Sequence, residues 1–216
     1  MATLEDAYIM THELAHTFDI YLNYILDNKG KNIKNIKGYN ILTESTAIAF
    51  EELFTRYLFE KNIINKYEYV GKIILARKNH TYTQCETSYG RLAMMNIMKE
   101  NQKITGDDLK KILSGLDLTP IQKKRYVESL VKGGVKMFDV ALGYAMSGMI
   151  SPTIEKNIID GNIENIKEYL KFSRIDDLEA AINSLGISID EKGIEQLQNN
   201  IKKITYNIER DEIIRD

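Results

Sequence analysis

"THELAHTFD" (residues 11–19) places two of the chain's three histidines four positions apart, with a glutamate directly after the first. On a helix, His12 and His16 share one face and can reach a single ion, while Glu13 points to the adjacent side. That side is where a water on a bound metal would sit, so Glu13 could take its proton without itself being a ligand. The stretch therefore decides two things together: a helix near the start of the chain, and a metal site on it.

The rest of the sequence agrees with a helical reading. Apolar residues recur at spacings of three and four over most of the length, and the only prolines are Pro120 and Pro152. The expectation is a nearly all-α chain. The first helix should start near Thr3, whose hydroxyl can cap it with Asp6 three residues on, and should run to about Asn28, where "DNKGKN" supplies a stop. Residues 27–41, rich in Asn, Lys and Gly, read as a polar connection that could hold a small hairpin. A second helix follows in "TESTAIAFEELFTRYLFEKN" (43–62), with Thr43 as its cap and Ile48, Phe50, Leu53, Phe54, Tyr57 and Leu58 on its apolar side. Further helices are expected around 64–80, 83–100, 107–115, 119–132, 135–149, 151–159, 162–172, 175–185 and 190–209. The whole reads as one helical unit, with a metal-site portion over 1–150 and a tail over 151–216 packed on it.

Composition narrows the function. The 216 residues, 44% of them hydrophobic, can bury a real core, and the formal net charge is only −2, from 29 basic and 31 acidic residues. No overall field recruits nucleic acid or an anionic membrane, and the lysines of 29–38 and the run Lys123, Lys124 and Arg125 read as a polar loop and a solvated helix face. Cys85 is the single cysteine, so no intrachain disulfide can form. "MATLEDAYIM" carries acids where a signal peptide would carry basic residues, and no apolar run reaches membrane-spanning length, so a cytoplasmic protein is expected. The methionines of "RLAMMNIMKE" (91–100), at helical spacing, read as core filling.

A catalytic zinc takes three protein ligands and keeps a fourth position for water, so His12 and His16 need a companion. The extended pattern with a glycine and a third histidine would need them at positions 19 and 22, which are Asp19 and Leu22. The other common solution is a glutamate on a following helix, and Glu44 stands near the start of the next one. Glu51, two turns further on, faces the same way; it reads either as an acceptor for the ring N–H of a ligating histidine or, with Glu52, as a solvent-facing acidic pair. His80, flanked by polar residues, reads as a surface histidine.

"THELAH" followed by "ESTAIAFEE" resembles the oligoendopeptidase F and thimet oligopeptidase family of zinc peptidases, where HExxH is followed by a helix bearing E-x-x-S/A-x-x-x-E. The segment "YLKFSRIDDLEAAINSLGISID" (169–190) is similar to the family's closing segment. The resemblance implies a helical zincin-like catalytic portion with His12, His16 and Glu44 as zinc ligands, Glu13 as base and Glu51 as the trailing glutamate. It also implies oligopeptide substrates, and a C-terminal catalytic portion whose channel is completed by a missing N-terminal half or a partner chain. Two positions depart from the pattern. Ala15 stands where the family usually has glycine, and the stretch 135–151 has no histidine and one tyrosine, Tyr144, where the family carries a histidine and tyrosines that hold the tetrahedral intermediate. Tyr144 is the matching candidate for donating its O–H to the oxyanion, against a structural reading as a helix tyrosine with a buried ring.

Overall fold

The computed structural model describes residues 3–26, 39–101, 103–116, 118–133, 138–174, 177–188, 190–193 and 195–197. It is all-α: among these residues there is no strand. The helices are α1 (Leu4–Leu26), α2 (Tyr39–Glu60), α3 (Lys66–Arg77), α4 (Thr83–Asn101), α5 (Gly106–Ser114), α6 (Pro120–Gly133), α7 (Phe138–Ile159), α8 (Ile163–Arg174) and α9 (Leu178–Ser184). A π-helical turn, Lys78–Tyr82, joins α3 to α4. No helix among the described residues is long and apolar enough to cross a membrane.

The chain forms two compact units. The first comprises residues 1–77 and 146–216, the second residues 78–145. This differs from the division at 150 expected from the sequence. The tail helices belong with α2 because their apolar faces close one core: Leu42, Ala49, Ile150, Ile154, Tyr169, Ala181, Ile182 and Leu185 are all buried together. Tyr169 is fully buried, and its hydroxyl donates to the Leu42 carbonyl at 2.8 Å. Burial without that bond would leave a polar atom stranded.

Local chemistry explains the helix ends. Thr3 and Asp6 form the expected capping box: the Thr3 backbone N–H donates to Asp6 Oδ2 at 2.6 Å, and the Asp6 N–H donates to Thr3 Oγ1 at 3.2 Å. Thr43 is not a cap. α2 starts four residues earlier, at Tyr39, because Leu42 is needed in the core, and Thr43 is buried in the helix interior. The polar residues of this buried helix return their hydroxyls to carbonyls one turn back: Ser45 to Ile41 at 2.6 Å, Thr46 to Leu42 at 3.1 Å, Thr55 to Glu51 at 2.8 Å.

The expected break between 149 and 151 is absent, and α7 runs straight through Pro152. Proline removes the N–H that would have bonded the carbonyl four residues earlier, that of Gly148. Arg77 Nη1 donates to this carbonyl at 3.5 Å and to Ser151 Oγ at 3.3 Å, while the Ser151 hydroxyl also reaches Gly148 O at 3.5 Å. The same guanidinium holds Glu52 Oε2 at 2.6 Å and lies 3.7 Å from Glu155 Oε2. α2, α3 and α7 are thus pinned at one buried point. The expected hairpin and most of the expected helix at 190–209 fall on residues outside those described.

In the second unit, Met94, Ile112, Tyr126 and Leu130 from α4, α5 and α6 form the core. Thr105 with Asp108 caps α5 in a full capping box, and Thr119 with Gln122 does the same ahead of Pro120 in α6. Gly90 of α4 is required: a Cβ there would fall 1.9 Å from the Tyr126 hydroxyl, which donates to the Glu86 carbonyl.

Candidate metal centre

α1 packs along α2, and the side chains between them define the centre. Ala15, only 2% exposed, lies at the contact; its small side chain lets the helices approach where the resembling family carries glycine. Three residues before it and one after, α1 presents its two motif histidines to α2 carboxylates.

His12, His16 and Glu44 each offer a ligand atom, and these atoms all lie within 4.8 Å of one another. The two Nε2 atoms are 3.0 Å apart; Glu44 Oε2 lies 3.5 Å from His12 Nε2, and Glu44 Oε1 lies 3.4 Å from His16 Nε2. Ligands about 2.0–2.1 Å from a tetrahedral zinc stand about 3.3 Å from one another, so the observed separations fit such an ion with shifts of a few tenths of an ångström. Glu44 Oε2 is buried and has no hydrogen-bond partner, a costly state that a cation between these atoms relieves.

Behind the histidine, Glu51 Oε1 lies 2.5 Å from His12 Nδ1. An ionised carboxylate only accepts, so Nδ1 carries the proton, and in the neutral ring the Nε2 lone pair faces His16 and Glu44. Glu51 thus faces a candidate ligand and is not a solvent-facing acid. The electrostatics match a cation site filled by a proton. The Glu44 carboxylate, then Glu51, raises the His12 pKa to about 10 against the opposing effect of burial. Burial raises Glu44, but His12 and then His16 outweigh it and lower the carboxyl to about 2.

Glu13 is exposed on α1, between the two histidines in sequence. Tyr144 belongs to the second unit, near the start of α7, and its half-buried ring stacks on His80 with centroids 6.5 Å apart. His80, on the π-helical turn, is partly buried beside this tyrosine and is not an isolated surface residue. Sequence reasoning also missed Glu52. It reads as half of an exposed acidic pair, yet it is 1% exposed and paired with Arg77. The available signal was the run of small and apolar residues just before it, "TAIAF" (46–50), which marks a helix buried on more than one side.

Comparison with protein-family models, with curated proteins and with solved structures gave no match. The likeness to the oligopeptidases thus rests on the motif residues themselves.

Proposed function

We infer that the chain is a zinc-dependent metalloendopeptidase acting on oligopeptides, or the catalytic half of one. The observation that carries the reading is the convergence of His12 Nε2, His16 Nε2 and both Glu44 oxygens, with Glu51 fixing the His12 tautomer from behind. His12, His16 and Glu44 would hold the metal, which when bound supplies Lewis acidity to polarise a peptide carbonyl and acidify a water. Glu13 takes the proton of the attacking water as the new C–O bond forms, then returns it to the amide nitrogen as the C–N bond breaks. Its exposure leaves it accessible to substrate. Glu51 stabilises the orientation of His12 throughout.

The test is hydrolysis of a quenched-fluorescent peptide library by the zinc-loaded chain, beside Glu13→Gln. Cleavage lost in the variant, with zinc retained, supports the assignment; cleavage that persists removes Glu13 as the base.

One observation favours a second reading, a catalytically silent helical module that keeps the metal for folding and docks on a partner chain. Met10, Leu14 and Tyr21 form a line on α1 at spacings of four and seven, each more than half exposed and without any group of the metal centre among them. Zinc without cleavage by the isolated chain would support it.

A further inference from the structure

The apolar residues of α1 that are more than half exposed divide between two lines. Besides the line through Met10, Leu14 and Tyr21, a second runs through Ile9, Glu13, His16 and Ile20, at spacings of four, three and four. Such spacing keeps all four on one stripe of the helix. Ile9 is 58% exposed and Ile20 52%, so the proposed base and one proposed metal ligand sit between two uncovered isoleucines. An isoleucine in contact with water at each end of a catalytic stripe forfeits a burial term that a ligand can recover.

The dimensions suit an extended peptide. Eleven residues of helix separate Ile9 from Ile20, about 16 Å at 1.5 Å per residue, the span of roughly five residues of extended chain. Each isoleucine stands four positions, about 6 Å along the axis, from the nearer chemical group, Glu13 or His16. A peptide lying along α1 with its scissile carbonyl between Glu13 and His16 therefore sets its side chains two or three residues from the bond against Ile9 and Ile20. No lysine or arginine stands on this stripe, and its one carboxylate is Glu13, so nothing there favours an acidic side chain.

We propose that Ile9 and Ile20 select peptides carrying apolar side chains two or three residues to either side of the cleaved bond. The selection rests on the peptidase reading above. It predicts that specificity resides in the metal helix itself, on both sides of the base.

The test reads binding, so it does not depend on turnover. The probe is a fluorescein-labelled decapeptide with leucine at the second and third residues on each side of its central bond, in a glycine and alanine background; its twin carries serine at those positions. Fluorescence anisotropy with the zinc-loaded Glu13→Gln chain should show the leucine peptide bound at least about fivefold more tightly than the twin, the effect of partly burying apolar side chains. Ile9→Ser and Ile20→Ser, both at exposed positions, should each weaken the leucine peptide by about threefold or more with zinc content unchanged. Equal affinity for the twins, or variants that bind the leucine peptide as before, overturns the proposal. So does a dimer in sedimentation that Ile9→Ser dissolves while the peptide fails to bind, because the stripe then faces a second copy. Failure of the peptidase reading looks different: the leucine peptide binds as predicted, but the zinc-loaded wild-type chain does not cut it.

Discussion

Glu51 and Glu44 approach His12 from opposite ring nitrogens, Glu51 at 2.5 Å from Nδ1 and Glu44 at 3.5 Å from Nε2. Seven residues apart on α2, they lie on one face of that helix and meet the same imidazole. Helix geometry alone thus makes one glutamate a candidate ligand and the other the group that orients its neighbour.

Glu51→Ala should therefore weaken zinc without removing it. Losing the carboxylate partner of a ligating histidine costs about ten- to a hundredfold in metal affinity. Competition against a chromogenic chelator measures this, and an affinity within twofold or so of wild type would contradict the role given to Glu51.

In the metal-free chain the contribution of His12 and Glu44 to stability should have a plateau bounded by their own titrations. His12 is raised from 6.5 to about 10, so its contribution is complete below about 6.5 and is lost as pH climbs through 10. Glu44 is lowered from 4.5 to about 2, so its contribution is complete above about 4.5 and is lost as pH falls through 2. With chelator present, the deficit in melting midpoint of Glu44→Ala relative to wild type should therefore be largest between about pH 4.5 and 6.5. Zinc must displace the His12 proton, so its affinity should climb with pH across the neutral range. A zinc affinity independent of pH from 6 to 8 would contradict this.

The buried cluster at Arg77 should respond to its two partners in opposite ways. Arg77→Met leaves Glu52 buried without its cation and should cost about 3–5 kcal/mol in urea unfolding. Glu52→Gln should be far milder. Burial, with Glu155 beside it and Arg77 opposing, holds the Glu52 carboxyl well above its usual range. A raised carboxyl favours the folded state at acid pH and loses that benefit as pH rises from about 4.5 toward the folded value. Glu52→Gln should accordingly flatten the decline in stability above pH 4.5; an unchanged decline would assign it to other groups.

Gly90→Ala should loosen the second unit. The added methyl meets the Tyr126 hydroxyl, whose ring is held by its bond to the Glu86 carbonyl and cannot swing aside freely. Overpacking of this kind costs about 1–3 kcal/mol. Hydrogen exchange of α4 and α6 amides would report it, and protection equal to wild type would show that the ring relaxes without cost.

Where a signal was local, the sequence carried it. The Thr3–Asp6 box, the motif face of α1 and the seven-residue offset of Glu44 and Glu51 each depend on residues within two turns, and periodicity suffices for them. What depended on distant chain was hidden. Thr43 has the chemistry of a cap but lost the position because Leu42 was needed against Tyr169. Pro152 has the chemistry of a helix breaker, but Arg77, 75 positions earlier, supplies the missing donor to Gly148. Glu52 and Glu51 are neighbours with the same side chain, and their 100° separation on the helix sends one to the metal centre and the other to a buried arginine. The pairing of His80 with Tyr144 spans most of the second unit, and no spacing rule reaches that far.

Zinc stoichiometry tests the central claim most directly. Equilibrium dialysis followed by elemental analysis should find close to one zinc per wild-type chain, and a marked loss in Glu44→Ala and His16→Ala under the same conditions. A wild-type chain that retains no zinc, or a Glu44→Ala chain that retains it as tightly as wild type, would contradict the centre built from His12, His16 and Glu44.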